Sequence, residues 1–462
     1  MQDISSSIFK KYDIRGLATG EDATLTMVAA HAIGQSFGTY LQRFHHISTC
    51  IVGRDNRNTS YDLQATLTEG LRRSGVSVID IGLVSTPIMY WHAVRQNNCG
   101  GVMVTGSHLP PEYNGFKMSL GGKTIFGSDI KMLHRLITNN QFIFGRGDAT
   151  TNHSSYSQYI NDLNQRFNIE KRFKVVFDPG NGTAGIFIPR LLQLWEQDAT
   201  GINIEPDGTY PNHQPDPQKA ENMQQLGDKV REIGADIGFG YDGDADRVGV
   251  VDENGDLIPA DRILALLAKD MLIRHRGAAV VADVLSSQSL FDAVKIAGGV
   301  PYMAASGHSL VKEEMRERKA LLGGEMSGHM FFAEDYHGFD DAYLATGRIL
   351  QMLTNAGKPL SELNAELPEY YSTPEYRPHC PDVDKDDVIY GMEQQMREAG
   401  YNLVTVDGVR VQFDNGWGIV RKSNTEPVLS LRFEGRTEED AIKYRNIFAA
   451  ALRNFPQVGK LT

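Results

Sequence analysis

Short apolar runs alternate with amphipathic stretches along most of the chain. CIVGRD (50–55) precedes the helical spacing of SYDLQATLTEGLRRSG (60–75), and VSVIDIG (76–82) precedes TPIMYWHAVRQ (86–96). GGVMVTGSH (100–108) follows. FKVVFDPGNGTAG (173–185) leads into IFIPRLLQLW (186–195), and AAVVADVLSS (278–287) leads into QSLFDAVKIAGG (288–299). Period-2 and continuous apolar runs read as strands, and the longer 3.6-periodic stretches between them read as helices. Strands that alternate with helices predict α/β units with parallel sheets covered on both faces. Such sheets carry their ligand sites at the carboxyl ends of strands, so the turns after the strands are the places to look for chemistry.

The texture breaks in three places. QFIFGRGDATTNHSS (141–155) is polar and turn-rich. VGVVDENGDLI (248–258) reads as a hairpin with Asn-Gly at its turn. After LSELNAELPEYYSTPEYRPHCP (360–381) comes a helix, DDVIYGMEQQMREAG, then strand pairs and a last helix, TEEDAIKYRNIFAAALRNF. These breaks predict four parts at 1–150, 151–254, 255–366 and 367–462. The first three are alike and α/β, and the last is smaller and α+β. At roughly 100–200 residues per domain, a chain of 462 residues has room for them.

Composition narrows the function class. Lys plus Arg is 46 against 58 for Asp plus Glu, a net charge of -12. Nucleic-acid and membrane-surface proteins need a basic face, so neither partner is expected. A few convergent cations still allow an anionic small substrate. The three cysteines, Cys50, Cys99 and Cys380, make neither a disulfide framework nor a zinc spacing. No run approaches the roughly 18 apolar residues of a membrane helix, and the start of the chain has no apolar signal core. A cytoplasmic protein is expected.

Four loops carry chemistry. In VTGSHLPPEYNGFK (104–117), a glycine before Ser107 permits a turn that lifts the hydroxyl clear of the sheet end, with His108 beside it. Such a hydroxyl serves as a nucleophile or carries a phosphoryl group when a base and a cation are near. In GFGYDGDADRVGVVDENG (238–255), Asp242, Asp244 and Asp246 alternate with small residues, and three hard oxygens at that spacing suit Mg²⁺. An EF-hand is the rival, since Glu253 falls at its twelfth position. Its sixth position demands glycine and holds Arg247, and the flanks read as strands, so that reading fails. In LLGGEMSGHMFF (321–332), Glu325 and Ser327 are groups that bind sugar hydroxyls, and His329 offers an imidazole, a side chain suited to acid or base work. In GIVRKSNTEPVLSLRFEG (418–435), Arg421, Ser423, Asn424 and Thr425 offer a guanidinium fork, hydroxyls and backbone N–H groups to a phosphate. Two further segments fit. FKKYDIRG (9–16) sets Tyr12 and Arg15 in an entry strand, and SGHSLVK (306–312) puts Gly307 and His308 before a helix start that favours an anion.

TGSH with PPEYNGFK, DGDADR, GEMSGH and RKSNTEP, in this order and over nearly the whole chain, resemble the α-D-phosphohexomutase superfamily, most closely its bacterial phosphomannomutase/phosphoglucomutase branch. The resemblance implies four domains around a central cleft, three α/β domains with mixed sheets and a C-terminal α+β domain. It implies an enzyme interconverting hexose 1-phosphate and hexose 6-phosphate, with mannose and glucose as the sugars. The route would be phosphorylated Ser107 and a hexose 1,6-bisphosphate, which also acts as activator. One Mg²⁺ per chain would be held by Ser107, Asp242, Asp244 and Asp246. Arg247 would sit beside the transferring group, and Arg421, Ser423, Asn424 and Thr425 would grip the other phosphate. Glu325 and Ser327 would hold the sugar, with Tyr12, Gly307 and His308 completing the contacts. Acid and base roles fall to Arg15, His108, Lys117 and His329, with no single assignment. A monomer or weak homodimer is expected.

Two departures stand out: Leu109 where the family usually has Asn, and Leu285-Ser286 where it often has Lys-Cys. The alternatives are a phosphoglucosamine mutase and a catalytically silent sugar-phosphate binder. Met326 speaks against the first, because that branch usually carries Gln there.

Overall fold

A computed structural model describes residues 4–423 and 426–461. The chain divides into two compact units. Met1–Ala260 with Ser327–Glu362 form one, and Asp261–Met326 with Leu363–Thr462 form the other.

The first unit contains two sheets. In the first, the strands run in the order Ile14–Leu17, Tyr113–Leu120, Cys99–Val104, Thr49–Arg54, Ser77–Leu83, Ala149–Thr151. The last four are mutually parallel. The first two run antiparallel to their neighbours, with Arg15 opposite Gly115 and Met103 opposite Lys117. The sheet is mixed, as the family resemblance implies, and not parallel throughout as the strand–helix alternation alone suggests. A short connection after Cys99–Val104 returns the chain as a hairpin, and a parallel neighbour would need a crossover helix. The second sheet has the order Leu257–Ile258, Val248–Val251, Ile237–Tyr241, Lys174–Asp178, Asp198–Gly201, and Val248–Val251 pairs antiparallel with both of its neighbours. Because Leu257–Ile258 pairs with Val248–Val251, this sheet continues through residue 258.

Helix Met27–His45 shows how the local pattern becomes packing. Ala29, Ile33, Phe37, Tyr40 and Leu41 recur at helical spacing and are buried, joining Leu63, Leu67 and Leu71 of helix Ser60–Arg73 in one core. Thr26 caps its start by accepting from Ala29 N, and His46 ends it with φ 55°.

In the second unit, Val300–Ala304, Ala279–Asp283 and Leu322–Gly324 run parallel. The C-terminal sheet is antiparallel, with the order Tyr371–Ser372, Leu429–Gly435, Gly416–Lys422, Val409–Phe413, Asn402–Val404. Its core draws Val388 and Met392 from helix Lys385–Glu398 and Tyr444 and Phe448 from helix Glu438–Leu452. That is the α+β part expected from the sequence. Among the described residues no helix is long and apolar enough to cross a membrane.

Candidate active site

Strand Cys99–Val104 is buried along its whole length and delivers Thr105, Gly106 and Ser107 at its carboxyl end. Ser107 adopts φ 51°, in the left-handed region that a non-glycine residue enters only when its surroundings hold it there. The holding group is Arg57, fully buried beside Asp55 at 3.3 Å. Its guanidinium donates to the carbonyls of Ser107 (2.8 Å), Leu109 (2.6 Å), Pro110 (2.6 Å) and Tyr113 (3.0 Å). Asp55 in turn accepts from Gly106 N at 3.3 Å. A Cβ on Gly106 would stand 2.6 Å from the Arg57 guanidinium carbon, so only glycine lets the clamp close.

The carboxyl end of strand Ile237–Tyr241 brings Asp242, Asp244 and Asp246 to the same place, all buried. A Cβ on Gly243 would lie 2.6 Å from the Ser107 carbonyl oxygen, which explains the small residue between the first two carboxylates. Ser107 Oγ donates to Asp242 Oδ2 at 2.7 Å, and His108 Nδ1 lies 3.2 Å from Ser107 Oγ. Asp242 Oδ1 accepts from the backbone N–H groups of Asp246 and Arg247 at 3.0 and 3.1 Å. One oxygen from each of the three carboxylates falls within 4.8 Å of the others.

These residues fit a divalent cation. Asp244 Oδ1 and Asp246 Oδ1 are buried without a hydrogen-bond partner among the described residues, and the donor set is hard oxygen throughout. Like charges and burial produce the expected electrostatic stress. Burial, then Asp246 and Asp244, push the Asp242 carboxyl well above its usual range. A cation placed between the three would remove that penalty. A second group of potential ligands, Asp246, His329 and Asp340, fits less well. Arg247 Nε donates to His329 Nε2 at 3.0 Å. A guanidinium can only donate, so Nε2 is the accepting nitrogen. A neutral ring then carries its proton on Nδ1, 3.2 Å from the Asp246 carbonyl oxygen, and that nitrogen has no lone pair for a metal.

Lys117 reaches the triad from strand Tyr113–Leu120. Its ammonium is 2.7 Å from Asp244 Oδ2 and also bonds Asp246. Burial alone would lower its pKa, but Asp244 and Asp246 override this and hold it as a cation. Arg15 donates from Nε to Asp13 Oδ2 at 2.6 Å, and its charge is felt by Asp244 and Asp246. His108 has its imidazole pushed well below the ordinary value, first by burial and then by Arg247, Arg15 and Lys117, so it is neutral at physiological pH. Nine sequence-predicted residues thus meet in this unit: Arg15, Ser107, His108, Lys117, Asp242, Asp244, Asp246, Arg247 and His329. Tyr12 precedes the strand that begins at Ile14, so it sits in a bend rather than the expected entry strand.

The remaining predicted groups divide differently. Ser327 falls in the first unit, whereas Gly307, His308, Glu325, Arg421 and Ser423 belong to the second. There Glu325 Oε1 accepts from Gly307 N at 2.6 Å, and helix His308–Arg318 starts immediately after, as expected. Arg421 Nη2 lies 2.8 Å from Asp407 Oδ2, which also accepts from Ser306 N at 3.3 Å. Lys385 Nζ holds the other loop from below through the carbonyls of Ser423 (2.9 Å) and Glu426 (2.5 Å). Asn424 and Thr425 lie outside the described residues.

Several contributors escaped the sequence reading. CIVGRDNR reads as a strand and turn, and nothing in it marks Arg57 as a buried clamp except a charged pair directly after an apolar run. Lys385 is hidden in an ordinary helix start. Asp283 ends the strand Ala279–Asp283 and accepts from Ser286 Oγ (2.6 Å) and Ser306 Oγ (3.1 Å). The two departures also find their places. Leu109 contributes its carbonyl to Arg57, a service independent of side chain. Leu285 packs against Val284, Trp417 and Ile419.

Four family models match in order: the phosphoglucomutase/phosphomannomutase alpha/beta/alpha domains I (residues 6–144), II (156–255) and III (259–371), and the C-terminal domain (374–451). The chain is 40% identical over 452 residues to a phosphomannomutase/phosphoglucomutase of Pseudomonas syringae pv. tomato, covering 97% of this chain and 96% of that one. It is 38% identical to a phosphoglucomutase of Neisseria meningitidis, covering 99% of both. A crystal structure of a phosphoglucomutase/phosphomannomutase family protein from Burkholderia thailandensis superposes with a TM-score of 0.93 at 37% identity, covering 100% of both chains. With a serine, three aspartates and their supporting cations gathered at adjoining strand ends, and all four domains accounted for, this chain belongs to the phosphoglucomutase/phosphomannomutase family.

Proposed function

We propose that the chain is a phosphohexomutase interconverting hexose 1-phosphate and hexose 6-phosphate, with mannose and glucose as the sugars. The observation that carries this is the buried contact of Ser107 Oγ with Asp242 Oδ2 at 2.7 Å, inside a cluster of three carboxylates and two cations. The resting enzyme carries a phosphoryl group on Ser107. The sugar's 6-hydroxyl attacks phosphorus, the bond to Ser107 Oγ breaks, and the hydroxyl proton passes to a protein base. This forms hexose 1,6-bisphosphate. After the intermediate turns around, Ser107 Oγ attacks the phosphorus on O1, the bond between O1 and that phosphorus breaks, the proton held by the base passes to O1, and hexose 6-phosphate leaves.

Each residue's role follows from its surroundings. Lys117 and Arg247 balance the charge of the three carboxylates and the phosphoryl oxygens. His329 holds Arg247 by accepting from its Nε, which aims the guanidinium. Neutral His108, 3.2 Å from Ser107 Oγ, is the acid–base candidate whose ring nitrogen reaches the nucleophile. Arg15 and Tyr12 flank the entry. Arg421, Ser423, Asn424 and Thr425 take the non-reacting phosphate, and Gly307, His308, Glu325 and Ser327 take the sugar. One Mg²⁺ on Asp242, Asp244, Asp246 and the Ser107 oxygen supplies charge neutralisation at the transferring phosphoryl group. Hexose 1,6-bisphosphate that escapes leaves the enzyme dephosphorylated, so the same compound acts as activator. The enzyme acts in the cytoplasm as a monomer or weak homodimer, on sugar phosphates and without nucleic-acid or membrane partners.

The test is ³¹P NMR with Mg²⁺ and a trace of glucose 1,6-bisphosphate. Mannose 1-phosphate, glucose 1-phosphate and glucosamine 1-phosphate are offered together. Conversion of the first two is expected. Turnover of glucosamine 1-phosphate alone would overturn the sugar assignment, and no turnover at all would overturn the mutase reading.

A further inference from the structure

Helix Thr86–Arg95 begins against the aspartate loop, and the two residues at its start make none of the usual capping bonds. Ser85 occupies the N-cap position with extended backbone, yet its side chain does not cap the helix. Ser85 Oγ instead donates to Thr183 Oγ1 at 2.8 Å and lies 2.6 Å from Tyr343 OH. Since the serine proton goes to Thr183, the tyrosine must be the donor to Ser85. Thr183 Oγ1 passes its own proton to the Gly243 carbonyl at 3.1 Å, and Thr183 N donates to the same oxygen at 3.0 Å. A chain of hydroxyls therefore ends on the peptide between Asp242 and Asp244.

Thr86 acts on the next residue. Its N–H donates to the Asp244 carbonyl at 2.9 Å, and its Oγ1 lies 2.5 Å from Asp244 Oδ2. Lys117 Nζ takes the same carboxylate oxygen at 2.7 Å. Asp244 Oδ2 is thus doubly engaged, while Oδ1 is buried without a hydrogen-bond partner among the described residues. The positive end of a ten-residue helix adds a favourable field for the carboxylate.

We infer that Thr86 is a positioning residue for the metal: its N–H fixes the Asp244 backbone and its hydroxyl locks the carboxylate, so that Oδ1 alone faces the ion. This rests on the proposed role of Asp242, Asp244 and Asp246 as metal ligands. Lys117 cannot substitute, because a flexible ammonium follows the carboxylate wherever it turns, whereas Thr86 is fixed at the first position of a helix and holds Asp244 with both its N–H and its hydroxyl. Pro87 stiffens that anchor by fixing the first turn.

The experiment titrates Mn²⁺ into the full-length enzyme and its variants, with free Mn²⁺ read by electron paramagnetic resonance. T86V keeps the volume and the backbone N–H but removes the hydroxyl, and T86S restores it. T86V is expected to weaken Mn²⁺ binding roughly 10–100-fold, the usual cost of an outer-shell partner. T86S keeps wild-type affinity. In turnover assays, T86V is expected to lose kcat at low Mg²⁺, recover it as Mg²⁺ is raised, and leave KM for hexose 1-phosphate unchanged. Circular dichroism confirms folding, and T86A replaces T86V should that variant not fold. Wild-type Mn²⁺ affinity in the folded hydroxyl-free variant overturns the inference, as does a T86S variant as weak as T86V. Failure of the wild-type enzyme to bind Mn²⁺ at all would instead overturn the metal reading itself, and the inference with it.

Discussion

Arg57 Nη2 donates to the carbonyl oxygen of Ser107 at 2.8 Å, although the two residues are 50 positions apart in the chain. The same guanidinium serves three more carbonyls of the serine loop, and Asp55 neutralises it from the opposite side. The left-handed φ of Ser107 is therefore maintained by a buried ion pair.

Breaking that pair should cost stability as well as activity. Arg57→Met leaves Asp55 charged and buried with its counter-ion gone, and such a loss is worth about 3–5 kcal/mol. Urea denaturation should show the fall. A double variant that also changes Asp55 to Asn should recover part of it, because the uncompensated charge is gone. Recovery of stability without activity would separate the clamp's effect on the serine loop from its effect on folding.

Ser107→Ala removes the oxygen that the mutase route requires. Interconversion should drop by roughly 10³-fold or more, with no phosphate retained on the purified protein by intact-mass measurement. The fold should survive, since Arg57 holds the serine loop through backbone carbonyls and not through the Ser107 side chain.

Metal removal should be reversible and visible in stability. A chelator should abolish turnover, and Mg²⁺ should restore it. Because three buried carboxylates repel one another, bound Mg²⁺ should also raise the melting temperature, by the equivalent of about 2.7 kcal/mol at a hundred times its dissociation constant. Asp244→Asn should remove that rise, which differential scanning calorimetry reads directly.

A pH effect on stability is expected from His213. His213 Nε2 lies 2.9 Å from Asp178 Oδ2. Burial lowers the imidazole pKa, but the hydrogen bond and the charge of Asp178 outweigh it, so the folded value is raised above 6.5. The folded state binds this proton more tightly than the unfolded chain does. The stabilisation is therefore fully present below about 6.5 and is lost as pH rises through the raised value. Urea midpoints of the wild-type protein should fall across that window. In His213→Gln, that part of the fall should vanish.

Much of this molecule was legible in the residues. The apolar runs and their following helices, from Thr49–Arg54 with Ser60–Arg73 to Ala279–Asp283 with Gln288–Ile296, could be read because burial on both faces demands unbroken hydrophobic strands. The polar loops around Ser107, Asp242, Glu325 and Arg421 were equally plain, since each gathers its reactive residue types close together in the chain. Strand direction was less so. Tyr113–Leu120 carries an apolar pattern that suits either direction, and only the short connection to Cys99–Val104 makes it antiparallel.

What the sequence by itself determined, then, was the inventory of elements and of reactive groups, because both are written in local spacing. The tertiary structure decided which groups support which. Arg57 beneath Ser107, Thr86 against Asp244, His329 behind Arg247 and Lys385 under Ser423 all join residues that are far apart in the chain. Such pairs are selected by distance in space, where a buried charge or a bare carbonyl must find its partner, and no local pattern records that requirement.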